Sequence, residues 1–239
     1  MVSAMGTGSD RFIPYSSVRF GPAVAAALLE IEAVHIRPNE PFVLTSGLLS
    51  PVYVDCRKVI AFPKQRNIII DAAVETLREQ LDLSQIDAIA GGETAGIPYA
   101  AWIADRLNLP MLYIRKKPKG FGRNAQIEGS FAEGARVLLV EDLATNGGSK
   151  EVFVKALRDA GAVIDTSIVV FFYNYGNQPR LPLLEALGVR LLSLATWNNI
   201  LALAEQNPKY KPAEIAEVKL FLSDLEKWSA AHGGMNPKP

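Results

Sequence analysis

Short, mostly apolar stretches recur through the middle of the chain, at 86–90, 110–114, 137–140, 168–172 and 190–194. Runs such as Val137-Leu138-Leu139-Val140 do not alternate with polar residues, so they predict strands buried on both faces. Helical segments separate them, at about 96–107 and ending near residue 160. Strands alternating with helices imply an α/β fold, a parallel sheet flanked by helices. Upstream, an alanine-rich helix is expected at 23–34 and a strand pair at 42–60. In that pair Thr45-Ser46-Gly47 and Ser50-Pro51 supply turns, and Val52-Tyr53-Val54 favours extended backbone. Pro63 suits the first turn of a helix running to about 81. Helices at about 200–207 and 212–231 end the pattern.

These elements divide the chain into a flexible leader (1–20), a single domain (21–231) whose first part, to about 62, forms a hood, and a tail (232–239). In parallel sheets, ligands bind beyond the carboxyl ends of strands. Three loops leave such ends, at Gly91, Arg115 and Glu141.

Composition narrows the function. Lys+Arg and Asp+Glu balance at 25 each, which argues against a nucleic-acid coat or a membrane-surface role. No run of about 18 apolar residues occurs. The first ten residues lack the basic start and apolar stretch of a signal peptide. Cys56 is the single cysteine, so no intrachain disulfide forms and a reducing cytoplasm is the expected home.

The most informative loop is Glu141-Asp142-Leu143-Ala144-Thr145-Asn146-Gly147-Gly148-Ser149, directly after the apolar run. Paired carboxylates accept hydrogen bonds from a sugar diol. Small residues entering a helix bring backbone N–H groups, a hydroxyl and a favourable dipole to an anion. Neither Gly-x-Gly-x-x-Gly nor Gly-x-x-x-x-Gly-Lys-Ser/Thr occurs. Arg115-Lys116-Lys117-Pro118-Lys119-Gly120-Phe121-Gly122-Arg123 places five cations in nine residues, a stretch expected to be mobile until an anion such as pyrophosphate gathers it. Gly91-Gly92-Glu93-Thr94 also suits a close approach to phosphate.

The acidic loop resembles the phosphoribosyl-pyrophosphate signature of type I phosphoribosyltransferases. The basic loop and Thr45-Ser46-Gly47…Ser50-Pro51-Val52-Tyr53 resemble the catalytic loop and hood of orotate phosphoribosyltransferases. That resemblance implies Glu141 and Asp142 on the ribose hydroxyls, and the loop from Leu143 and Ala144 through Thr145, Asn146, Gly147, Gly148 and Ser149 around the 5′-phosphate. Arg115, Lys116, Lys119 and Thr94 fall to the pyrophosphate. Tyr53, Tyr173 and Thr145 fall to the base, and Lys116, Lys119 and Asp142 to catalysis. It also implies Mg2+ held mainly by the donor, with Asp142 and water, and a homodimer with shared sites; nucleic acid and membrane are not expected partners.

Departures from the family pattern are Phe121 in place of a histidine, Thr45 in place of a lysine, and Phe171-Phe172-Tyr173-Asn174 where an arginine often meets the orotate carboxylate. Arg57 and Lys58 are the alternative cations. Glu93 either points away or reaches magnesium through water. A transferase for another base, or a non-catalytic donor sensor of the same fold, are the competing functions; the sensor should lack the basic loop.

Overall fold

The computed structural model describes residues 15–44, 46–119, 126–145, 147–176 and 181–234. In chain order they form β1 (Tyr15–Ser16), α1 (Gly21–Glu30), β2 (Val34–Ile36), β3 (Phe42–Val43), β4 (Leu49–Ser50) and β5 (Val52–Val54). A 3-10 turn (Cys56–Ala61) leads to α2 (Pro63–Gln80), β6 (Ala88–Gly92), α3 (Gly96–Leu107), β7 (Met111–Ile114) and β8 (Ile127–Glu128). Then come β9 (Val137–Ala144), α4 (Gly148–Asp159), β10 (Thr166–Phe172), α5 (Pro182–Ala186), β11 (Arg190–Thr196), α6 (Trp197–Ala204), α7 (Pro212–Ser223) and α8 (Leu225–Ala231).

A seven-stranded sheet has the order β1-β11-β10-β9-β6-β7-β8. Its pairs are parallel except β7 with β8. Both faces are covered, as the unalternating apolar strands required. Leu138, Val140, Ile168 and Leu192 join one cluster with α1, α2, α3 and α6. Val137, Leu139, Val169 and Leu191 join the other with Phe153 and Leu157 of α4 and Leu184 of α5. Adjacent strand residues point to opposite faces, so each strand feeds both layers in turn.

Several expected boundaries move. Tyr15–Ser16 lies inside the stretch read as a leader, yet it pairs in parallel with Leu192 and Ser193. The helix expected at 23–34 ends at Glu30, because Glu32 turns left-handed (φ 53) and Val34 enters β2. His35 therefore sits in that strand. The segment 42–60 is not one strand pair: β3 pairs with β4, while β5 pairs with β2. The helix read over 212–231 breaks at Asp224, whose carboxylate accepts from Lys227 N at 3.0 Å and so caps α8. His232, placed in the tail, stacks on Trp228 with ring centroids 3.7 Å apart.

The hood joins the first core layer. Val52 and Val54 are buried beside Tyr173, Trp197, Phe221 and Trp228. The hydroxyl of Ser229 in α8 accepts from Leu49 N at 2.9 Å.

Candidate active site

β9 runs further than its apolar part. Leu143 and Ala144 stay paired with Phe171 and Phe172, so the acidic pair lies within the strand and not past its end. The pleat then separates the two carboxylates. Glu141 turns toward α4, where its Oε2 accepts from Ser149 Oγ at 3.1 Å and Lys150 Nζ at 3.3 Å. Asp142 lies on the opposite side, where its field reaches Cys56, Arg57 and Tyr99. Burial pushes the Glu141 carboxyl up, opposed by Lys150 and reinforced by the charge of Asp142. Burial likewise raises Asp142, opposed by Lys150, by the backbone N–H groups of Asp142 and Leu143, and by Arg57.

Both carboxylates line one cleft of about 440 Å³. Its floor continues through Leu143, Thr145, Gly147, Gly148 and Ser149 into the N-terminus of α4. Gly147 precedes that helix with φ 86, a backbone shape glycine adopts without strain. The N–H groups of a helix's first turn and the positive end of its dipole suit this end of the cleft to an anion.

Thr94 and Lys116 stand on the rim. The Glu93–Thr94 peptide is cis. Glu93 lines the cleft, and its Oε2 accepts from the backbone N of Lys116 at 2.7 Å. That bond ties the glycine loop to the start of the basic loop.

The opposite wall comes from the hood and the end of β10. Tyr53, Val54, Arg57, Tyr173 and Tyr175 line it. Tyr173 OH accepts from Val54 N at 3.1 Å, which fastens the hood to the sheet. Arg57 donates from Nε to Asp55 Oδ1 at 2.7 Å and from Nη2 to Tyr53 OH at 2.8 Å. An anion cradle, a carboxylate pair and aromatic side chains accompanied by one guanidinium thus line a single cleft.

The family model for the phosphoribosyl transferase domain matches residues 63–200. An orotate phosphoribosyltransferase of Rhizobium etli is 50% identical over 212 residues, covering 89% of this chain and 91% of that protein. One from Cereibacter sphaeroides is 51% identical over 213 residues, covering 89% and 91%. The chain belongs to the orotate phosphoribosyltransferase family. The crystal structure of orotate phosphoribosyltransferase from Aeropyrum pernix matches with a TM-score of 0.66 and 34% identity, over 77% of this chain and 99% of that one.

Within this phosphoribosyltransferase the cleft gathers Tyr53, Thr94, Lys116, Glu141, Asp142, Leu143, Thr145, Gly147, Gly148, Ser149 and Tyr173 of the expected site residues. Ala144, Arg115 and Lys119 are not in that lining. Ala144 is buried in the second core layer. Arg115 Nε lies 3.4 Å from Glu128 Oε1, and Lys119 pairs with the same carboxylate, so both cations are drawn to β8. Lys58 donates to Glu32 O at 2.9 Å, away from the cleft, which leaves Arg57 as the cation at the aromatic wall. Asn146 and Phe121 lie outside the described residues.

Sequence reasoning passed over Lys150 and Tyr175, both in the lining. Lys150 carried a signal. It shares a helix face with Phe153, Val154 and Leu157, and a cation on an apolar face requires a buried partner. Tyr175 lies two residues beyond Tyr173, but the chain there has left the strand and no period fixes its side.

Proposed function

We infer that this cleft transfers the phosphoribosyl group of 5-phosphoribosyl 1-pyrophosphate to orotate, giving orotidine 5′-monophosphate and pyrophosphate. One observation carries the reading. The carboxylates of Glu141 and Asp142 run directly into the N-terminus of α4, facing the wall of Tyr53, Arg57 and Tyr173. A ribose 5-phosphate spans the first part, with its hydroxyls at the carboxylates and its phosphate at Thr145–Ser149. A flat carboxylated ring suits the second: Tyr53 offers a stacking face and Arg57 answers the carboxylate.

In the reaction the C1–O bond to pyrophosphate breaks, its electron pair leaving with that group. The base nitrogen forms the new C1–N bond from the opposite face, through an oxocarbenium-like ribose. This chain supplies no nucleophile. Asp142 and Glu141 hold the sugar, the α4 cradle holds the phosphate, and Lys116 places positive charge near Thr94, where the leaving group's charge grows. Glu93 holds the backbone of Lys116 in register with that loop.

No group of three or more metal-ligating side chains occurs among the described residues. Asp142 lines the cleft beside Glu141 and is the residue that would hold a magnesium ion arriving on the donor's oxygens, directly or through water. Bound there, the ion supplies neutralisation of the departing pyrophosphate.

Homodimerisation is part of the same reading. Arg115 and Lys119 stand against Glu128 outside their own cleft lining, which supports a role at a neighbouring copy's site. The single buried thiol of Cys56 suits a reducing cytoplasm.

The loss of orotate's ultraviolet absorbance with magnesium, donor and a panel of free bases tests the assignment. Orotate should react, and Asp142→Asn and Lys119→Ala should each cut turnover, by about 10- to 150-fold where one charged hydrogen bond is lost. Unchanged rates in both variants would sink it, and a preference for another base would move the acceptor while leaving the donor site in place.

A further inference from the structure

Lys150 is 1% exposed, and its ammonium makes two bonds: to Glu141 Oε2 at 3.3 Å and to Leu143 O at 2.7 Å. Ser149 Oγ takes the same Glu141 oxygen. The other oxygen, Oε1, lies over Gly92, where a Cβ would overlap it, and near Gly96, whose Cβ would come within 3.3 Å. Stability alone does not account for this pair. Replacing a buried ion pair with neutral or apolar groups of similar volume is often neutral or stabilising, whereas removing one partner strands a charge.

We propose that Lys150 is a positioning residue for sugar binding. With Ser149 it holds Oε2 of Glu141, while Gly92 and Gly96 leave just enough room for Oε1, so the carboxylate that lines the cleft is fixed in place. Its second bond holds Leu143 O, at the entry to Thr145–Ser149, so one ammonium sets the register of the sugar carboxylate and the phosphate cradle together. The charge that would otherwise build up between Glu141 and Asp142 is balanced from behind the strand, where it competes with no substrate group. The inference rests on the reading of this cleft as a phosphoribosyl site. It assigns no contact between Lys150 and substrate.

The test compares the wild type with Lys150→Met, Glu141→Gln and the double variant. Donor affinity in the presence of magnesium is read by calorimetry without orotate, beside kcat, the donor KM and the melting temperature. Lys150→Met should weaken donor binding by about 10- to 100-fold, the scale of one mispositioned charged hydrogen bond, with the larger change in KM than in kcat. Glu141→Gln strands the ammonium and should also weaken binding. The double variant leaves no carboxylate to position, so it should bind the donor no more weakly than Glu141→Gln.

A Lys150→Met enzyme that melts lower but binds donor as tightly as the wild type would make the lysine purely structural and overturn the proposal. A double variant weaker than Glu141→Gln by the same factor that Lys150→Met loses from the wild type would also overturn it, because additive losses belong to a cation acting on the substrate itself. If Lys150→Met fails to fold, Glu141→Gln against the double variant decides in the same way. A wild type that binds the donor yet leaves orotate unreacted would defeat the acceptor reading and leave the role of Lys150 still readable in donor affinity.

Discussion

Gly92→Ala probes the packing behind Glu141 with a single methyl group. Gly92 is buried in β6, outside the left-handed region, so alanine meets no backbone penalty there. Loss of unfolded-chain freedom would by itself stabilise the protein by about 0.4–1 kcal/mol. The new Cβ, however, would overlap Glu141 Oε1 and lie 2.5 Å from Phe153 Cε2 and 2.8 Å from Phe153 Cδ2. Phe153 is fully buried and has no open side to retreat into. Overpacking of this kind costs roughly 1–3 kcal/mol. The net loss is then about 0–2.6 kcal/mol, or up to about 10 °C of melting temperature for a chain of this size.

The functional effect should be larger than the stability effect. A carboxylate moves more readily than a packed ring, so Glu141 is the group expected to yield, against the hold of Ser149 and Lys150. Losing one charged hydrogen bond to the sugar weakens donor affinity by about 1.5–3 kcal/mol, or roughly 10- to 150-fold. Calorimetry with donor and magnesium, beside thermal melting, reads both quantities. The neighbouring Gly91→Ala gives a contrast, since its Cβ would meet backbone, Ile97 Cα at 2.8 Å and Gly96 O at 2.9 Å, and should mainly lower the melting temperature. Undiminished donor affinity in a folded Gly92→Ala enzyme would refute the reasoning that the position of the Glu141 carboxylate sets sugar binding.

Tyr173→Phe removes the acceptor for Val54 N and should cost about 1–3 kcal/mol of stability, while raising the orotate KM more than the donor KM; equal changes in both would contradict a hood-fastening role. Arg57→Leu should raise the orotate KM by about 10-fold or more and leave donor affinity unchanged, which titration with each substrate separates. The pH dependence follows from Asp142, whose carboxyl is raised above 3.8 by burial against the lowering field of Lys150. Because the folded value is the higher one, its contribution to stability is complete below the ordinary aspartate value and is lost as pH rises through the folded value. Sugar binding needs the ionised form and runs the other way, so donor kcat/KM should fall with acid at a pH above 3.8; an acid limb at or below 3.8 would contradict the burial of this group.

The central sheet was legible because its signals are local. Val137–Val140 had to be buried on both faces, and the small residues after Asp142 had to open a helix. The acidic loop could therefore be placed before any contact was known. What stayed hidden depends on distant partners. β1 is two residues long and pairs with β11 from the far end of the chain, so no period betrays it. β2 and β5 have three residues each, too few for alternation to choose between partners. The cations of the basic loop were countable, but their direction was set by Glu128, in a two-residue strand that pairs with β7. Lys150 was readable in principle, since a lysine in register with Phe153, Val154 and Leu157 cannot be left without an anion.

The separation of the acidic pair across β9 also explains how one cleft can serve two substrates. A shared loop would have put both carboxylates in the same solvent, with nothing to distinguish them. In the strand, Glu141 belongs to the layer of α4, where Lys150 and Ser149 connect it to the phosphate cradle. Asp142 belongs to the layer of the 3-10 turn, where Arg57 connects it to the wall of Tyr53. The sheet is the partition between these layers, and the cleft is the place where both reach solvent. Substitutions behind Glu141 should then be felt first by the donor, and those behind Asp142 by donor and acceptor together.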